Sequence, residues 1–234
     1  LERNVDEAIG IVEDILKAGD LDDAARMRDL ILEKKNSLHA SVIPSGHLFA
    51  QMAAAAALSI PAWRTEQWHG RTQLRFIAGT ADQLPDLQEE LREKLMRLRE
   101  IGFVRNRLHL NLTADEAGLR RLTAAAGRLS TLPAGNPPAR IEDRAPRPTH
   151  VGIAIPAQVS YVAKGLAAPP YRDPLSAPLF VLAKQLSNGY LYRHIRVQGG
   201  AYGGSCRYEP LSCLFAFLSY RDPHLTETLD VYRD

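Results

Sequence analysis

The sequence predicts an α+β protein in which helices pack on a mainly antiparallel sheet. Three observations lead to this fold class. Apolar residues recur at helical spacing through most of the first half of the chain, a proline-rich segment follows, and strand-like runs flank a helix in the last third. With 234 residues, 45% of them hydrophobic, the chain is long enough for one large or two modest domains with a buried core.

The first half is predicted to be mainly helical. Its first two helices are joined by a short turn into a helical hairpin, with Asp20 as the expected N-cap of the second. Leucines that alternate with polar residues predict one strand over Phe103–Leu112, whereas Trp63–His69 is assigned to a polar turn. The helices predicted from apolar periodicity run over Val5–Leu16, Leu21–Lys35, the segment from Gly46 to Leu58, Asp82–Gly102 and Thr113–Leu129.

The second half begins after a predicted domain boundary at Thr131–Thr149, which is rich in proline. The order of the elements beyond it places the helices on one side of the sheet. Leu214–Leu218 is apolar without alternation, which predicts a central strand covered on both faces. The predicted strands run over His150–Ile155, Gln158–Leu166, Ala201–Tyr208 and Leu211–Tyr220, and the predicted helices over Pro178–Val197 and from Pro223 onward.

Composition excludes several classes of function. The net charge is only +2, from 29 basic and 27 acidic residues, so there is no electrostatic case for nucleic-acid binding. The longest apolar run, Met52–Ile60, is too short to span a membrane. Cys206 and Cys213 lack C-x-x-C spacing, so we expect two free buried thiols in a reducing compartment rather than a disulfide framework.

The stretch from Arg196 to Gly204 is the one place where reactive side chains and unusual backbone requirements coincide. Four glycines, at 199, 200, 203 and 204, follow Arg196. If Gly199 and Gly200 fold the chain back into a strand, Arg196 and Tyr202 meet in one cleft, where a guanidinium and a phenol can bind a carboxylate or a peptide backbone. The alternative is a helix that ends at a glycine cap and is followed by an edge strand.

No catalytic motif is present in the sequence. A zinc hydrolase needs two histidines one helical turn apart with a glutamate, and no histidines of this chain have that spacing. Nucleophile-elbow, P-loop and dinucleotide motifs are absent as well. His47 is interpreted as a structural histidine, and an unrelated hydrolase that uses His194 or Cys206 is a third alternative. The chain alone is therefore expected to perform no bond-breaking chemistry.

Arg196-Val-Gln-Gly-Gly-Ala-Tyr202-Gly-Gly, together with the downstream phrase Leu218–Asp230, resembles the C-terminal half of the pitrilysin or insulinase superfamily of zinc metallopeptidases, presequence protease branch. The resemblance covers essentially the whole chain. It implies a helical hairpin linker at 1–36, a third-domain-like α+β region at 37–132, a proline-rich linker at 133–149 and a partial fourth domain at 150–234, the last two domains being α/β rolls.

The resemblance also implies a function. The family's enzymes enclose a chamber between two halves, with Zn²⁺ in the N-terminal half, and the C-terminal half supplies an Arg and a Tyr that bind substrate peptide. These match Arg196 and Tyr202, with Gly199, Gly200 and Gly203 letting the peptide approach. The first residue, Leu1, and the end of the chain soon after a helix begins indicate a piece of a longer polypeptide, inactive when isolated.

The expected partners are therefore unfolded peptides and the N-terminal half of the same polypeptide, with no membrane and no nucleic acid. We expect a cytoplasmic location, or an organelle matrix in a eukaryote. The alternative function is a non-catalytic peptide-binding or scaffold subunit like those of processing peptidases.

Overall fold

A computed structural model gives the structure of the chain and describes residues 4–136 and 150–233. Short 3₁₀ helices at Arg105–Arg107 and Gly127–Thr131 and a π-helix at Tyr192–Gln198 supplement the regular elements. The α-helices are α1 (Val5–Ala18), α2 (Ala24–Ser41), α3 (Gly46–Ala55), α4 (Ile60–His69), α5 (Arg71–Asp82), α6 (Leu84–Gly102), α7 (Glu116–Ala126), α8 (Ser176–Asn188) and α9 (Thr226–Val231). The strands are β1 (Ala163–Ala167), β2 (Gly203–Glu209) and β3 (Leu214–Tyr220).

The described residues fall into two compact units, within Leu1–Ile31 with Asp82–Ile141 and within Leu32–Ala81 with Glu142–Asp234. The first unit is helical. In it α1 packs against α7 and the 3₁₀ helix Gly127–Thr131, and the side chain of Asp115 caps α7 by accepting a hydrogen bond from the backbone N–H of Gly118. Its core includes Leu84, Val104 and Leu129, all buried.

The second unit is built around an antiparallel sheet with the strand order β1-β3-β2. One face of the sheet carries Cys206 and Tyr208 in a core formed with α8 and the π-helix. The other face carries Leu214 and Ala216, which pack with Ala55 of α3 and with the start of α4. Helices therefore cover both faces of the sheet.

This arrangement corrects the expectation that the helices lie on one side. It confirms the prediction for β3, which lies in the centre of the sheet and is apolar along its length because both of its faces are buried. The mixed helix and sheet content, with an antiparallel sheet, agrees with the α+β class.

Three local predictions are wrong. Residues 63–69 belong to α4, where the Ser59 hydroxyl accepts a hydrogen bond from the N–H of Ala62 and Pro61 lies in the first turn. Phe103–Leu112 holds a 3₁₀ turn followed by irregular backbone rather than a strand, and His150–Ile155 also lies outside any strand.

The predicted helix Pro178–Val197 is interrupted. The α8 segment ends at Asn188, with Gly189 as its C-cap, and the chain resumes in the π-helix. Most of the predicted proline-rich linker, residues 137–149, lies outside the described residues. The two compact units divide the predicted 37–132 region between Ala81 and Asp82, and the domain assignment from the resemblance stays a prediction.

Candidate functional site

The chain folds back on itself directly after Arg196. The N–H of Gly200 donates to the carbonyl of Arg196 at 3.1 Å, and the N–H of Ala201 donates to the carbonyl of Ile195 at 3.1 Å. Gly200 has φ +75°, a left-handed conformation that other residues rarely adopt. The turn delivers Tyr202 to the start of β2, so the fold-back expected from the glycines is present.

The side chains of Arg196 and Tyr202 meet. The guanidinium carbon of Arg196 lies 5.7 Å from the centroid of the Tyr202 ring and 5.6 Å from that of Tyr192, both within the range of a cation–π contact. Tyr202 is 65% exposed and Tyr192 is 48% exposed. The cation and the phenol therefore face solvent together and are not plugged into the interior.

The glycines of the motif have different roles. A side chain at Gly199 would come within 2.7 Å of the Ile195 carbonyl oxygen, and one at Gly204 within 2.8 Å of the Ile195 side chain. Both positions are therefore closed by packing. A Cβ at Gly203 would meet nothing within 4 Å, so Gly203 is the candidate position at which another chain can approach the strand.

Tyr220, at the end of β3, connects this pair to the rest of the unit, and the sequence reasoning missed it. Its ring contacts the Tyr202 ring edge to face at 5.7 Å between centroids, the His47 ring at 4.9 Å and the Tyr161 ring at 5.7 Å. The guanidinium carbon of Arg221 lies 5.5 Å from the centroid of the same ring. The only signal in the sequence was the position of Tyr220 and Arg221 inside the phrase Leu218–Asp230.

The turn after Tyr220 is fixed by a buried carboxylate. Asp222 is 1% exposed, and its two oxygens accept hydrogen bonds from the backbone N–H of His224 at 2.9 Å and the hydroxyl of Thr228 at 2.8 Å. Its backbone exchanges two hydrogen bonds with Ser160. The carbonyl of the preceding Arg221 accepts the N–H of Tyr202 at 3.3 Å, so the Asp222 turn also places Tyr202.

His47 lies at the start of α3 and packs against Tyr220. Its Nδ1 is buried and has no hydrogen-bond partner among the described residues. Burial lowers the pKa of the His47 side chain, and the positive charge of Arg207 lowers that pKa further. The ring is therefore neutral at neutral pH, which agrees with a packing role.

The alternative hydrolase based on Cys206 or His194 finds no support. Burial raises the pKa of the Cys206 thiol to about 12, so the thiol is protonated at neutral pH and is a poor nucleophile. The N–H of Cys206 donates to the hydroxyl of Ser187, and the His194 ring packs on Tyr190 with 4.4 Å between centroids. Both cysteines are free thiols.

Within residues 4–136 and 150–233, no three His, Cys, Asp or Glu side chains are grouped so that they could hold a metal ion. In the same part of the chain, no helix combines the length and the apolar character that crossing a bilayer requires.

Comparisons with known proteins show the family of the chain. Residues 151–234 match the family model described as "PreP C-terminal domain", and residues 1–79 match a second model, described as a peptidase-associated domain. The chain belongs to the presequence protease branch of the pitrilysin or insulinase superfamily of metallopeptidases and corresponds to the C-terminal part of that branch.

Curated relatives extend the likeness over the whole chain. Presequence protease 1, chloroplastic/mitochondrial, of Arabidopsis thaliana is 30% identical over 230 residues, which covers 97% of this chain and 21% of that protein. The mitochondrial presequence protease of Kluyveromyces lactis is 32% identical over 88% of this chain and 22% of the relative, and that of Yarrowia lipolytica is 27% identical over 100% and 24%. The chain thus spans between a fifth and a quarter of the length of these relatives.

Proposed function

We propose that this chain is part of a zinc-dependent oligopeptidase of the presequence protease type and that Arg196 and Tyr202 position the substrate peptide. The observation that carries the proposal is the exposed contact between the two side chains, 5.7 Å from guanidinium carbon to ring centroid. The relatives are named presequence proteases, which supports a peptide substrate.

Each group offers a distinct interaction to a peptide. The guanidinium of Arg196 has five N–H donors and keeps its charge at all physiological pH values, so it can bind a carbonyl or a carboxylate with two parallel hydrogen bonds. The hydroxyl of Tyr202 can donate to a carbonyl oxygen that gains negative charge in the transition state. The open position at Gly203 lets an extended peptide approach the start of β2.

The zinc ion of this class of enzyme has no fitting site among the described residues, because they present no group of three ligands. We place the Zn²⁺ on the N-terminal half of the full-length polypeptide, and no step assigned to this chain passes through it. The isolated chain is accordingly proposed to bind and orient peptides without cleaving them.

The relatives' names also bear on location. Each of those compared above is mitochondrial, or chloroplastic and mitochondrial, by name. This supports an organelle matrix, the second of the two locations considered, for a protein of this chain's kind in a eukaryote.

The proposal is tested by replacing Arg196 with Ala in the full-length polypeptide and measuring peptide turnover and zinc content together. We expect kcat/KM to fall about 100-fold, the scale of losing a charged donor near the reacting carbonyl, while zinc content is unchanged. Unchanged turnover would refute the role of Arg196. Peptide binding by a full-length protein that never turns peptides over would instead favour the non-catalytic subunit.

A further inference from the structure

A second arginine stacks on a second tyrosine beside the pair described above. The guanidinium carbon of Arg221 lies 5.5 Å from the centroid of the Tyr220 ring, and that ring contacts Tyr202 with 5.7 Å between centroids. Arg196 and Arg221 thus sit on two aromatic rings that touch each other.

The positive charge of this group is not compensated. Among residues 4–136 and 150–233, neither Arg196 nor Arg221 forms an ion pair or a side-chain hydrogen bond, although other exposed arginines do. The acid nearest in sequence, Asp222, is buried and uses both oxygens on its own turn. The arginines that form ion pairs elsewhere in the described chain include Arg92, Arg120 and Arg233.

The backbone gives an independent indication at Arg221. This residue has φ +49°, in the left-handed region that favours glycine. Gly200 adopts the same region with a glycine. Backbone preference therefore does not explain an arginine at position 221, and strained non-glycine residues occur preferentially at functional sites.

We propose that Arg221 is a second anion-binding residue of the peptide site and that, with Arg196, it favours substrates that place a carboxylate beside the Tyr202–Tyr220 ring pair. This inference rests on the proposed function and specifies its substrate class. A guanidinium binds a carboxylate through two parallel charge-assisted hydrogen bonds, and two guanidiniums on adjoining rings can share one anion.

The carboxylate has two possible sources in a peptide, an acidic side chain or the free C-terminus. Two pairs of peptide substrates separate them. One pair differs only by Glu against Gln at one internal position, scanned along the peptide, and the other differs only by a free against an amidated C-terminus. The quantity measured for each pair is the ratio of kcat/KM values, charged over neutral.

The test variant is Arg221→Gly in the full-length polypeptide, because glycine relaxes the left-handed backbone while it removes the guanidinium. Arg221→Asn, which also tolerates that conformation, is the second variant if the first fails to fold. Arg75→Ala is the matched control, since Arg75 is an exposed arginine on α5 of the same unit. It removes one positive charge far along the sequence from the ring pair.

We expect Arg221→Gly to lower the charged-over-neutral ratio about tenfold for one of the two peptide pairs, mainly through KM, with neutral peptides turned over nearly as before. The pair that loses its ratio identifies the source of the carboxylate. Arg75→Ala should leave both ratios unchanged.

Unchanged ratios in Arg221→Gly, with turnover impaired in Arg196→Ala, would overturn the role of Arg221 and leave the proposed function intact. Equal losses in Arg221→Gly and Arg75→Ala would also overturn it, because they would show a general charge effect. Normal turnover in Arg196→Ala would remove the proposed function itself.

Discussion

The backbone N–H of Tyr202 donates to the carbonyl of Arg221, so the turn that follows β3 holds the residue that precedes β2. The same Tyr202 carries its ring against the Arg196 guanidinium. Three separate segments, the end of the π-helix, the start of β2 and the turn after β3, therefore fix one exposed group of side chains. Each segment can be perturbed by a single substitution.

The Gly200 turn should depend on glycine. Replacing Gly200 with Ala forces a Cβ into φ +75° and should lower the free energy of unfolding by about 1 to 2 kcal/mol. Gly203→Ala is the control, because its Cβ would meet nothing within 4 Å, and we expect a change within about 0.5 kcal/mol. Chemical denaturation of both variants measures the difference, and equal costs would show that the turn does not need the left-handed residue.

Tyr220 should act through its ring. Tyr220→Phe keeps the ring contacts with Tyr202, His47 and Tyr161 and should leave stability and kcat/KM nearly unchanged. Tyr220→Ala removes them and should lower the free energy of unfolding by about 2 kcal/mol and reduce kcat/KM as Tyr202 loses its support. If Tyr220→Phe were as impaired as Tyr220→Ala, the hydroxyl and not the ring contacts would be the important group.

Asp222 should stabilise its turn more than any exposed carboxylate does. Asp222→Ala leaves the N–H of His224 and the hydroxyl of Thr228 without their acceptor and should cost about 2 kcal/mol in thermal or denaturant unfolding. The control Asp230→Ala removes an exposed ion pair to Arg233 and should cost less than about 1 kcal/mol. A loss at Asp222 no larger than that at Asp230 would contradict the assigned role.

Cys206 should be chemically inert in the native protein. Its folded pKa of about 12 lies above the ordinary value of 9.0, so the protonated thiol is the form that folding favours. The contribution of this group to stability is complete below pH 9 and is lost as the pH rises toward 12. Alkylation at about pH 8, just below the ordinary thiol pKa, followed by peptide mass spectrometry, should label the half-buried Cys213 before Cys206. Faster labelling of Cys206 would contradict its burial.

Parts of the fold were accessible from the sequence because the responsible interactions are local. The continuous apolar run of β3 reports burial on both faces directly, and the helices α1, α6 and α7 carry their own periodicity and caps. Phe103–Leu112 alternates as a strand does, but a strand also needs a partner, and the local pattern carries no information about one.

The candidate site divides in the same way. The approach of Tyr202 to Arg196 was predictable, since the glycines between them permit a tight reversal. The role of Tyr220 as a shared neighbour of Tyr202, His47 and Tyr161 was not, because those contacts join residues far apart in the sequence. The left-handed backbone of Arg221 also has no signature in the sequence, since arginine shows no preference for that conformation.

The joint action of Arg196 and Tyr202 on one substrate is tested most directly by a double-mutant cycle on kcat/KM in the full-length polypeptide, with Arg196→Ala, Tyr202→Phe and the two combined. Each single change should reduce kcat/KM, and the combined variant should lose clearly less than the product of the two single losses, since either change disrupts a shared interaction. Normal turnover in both single variants, or losses that multiply fully in the combined one, would contradict a site in which the cation and the phenol hold the same peptide.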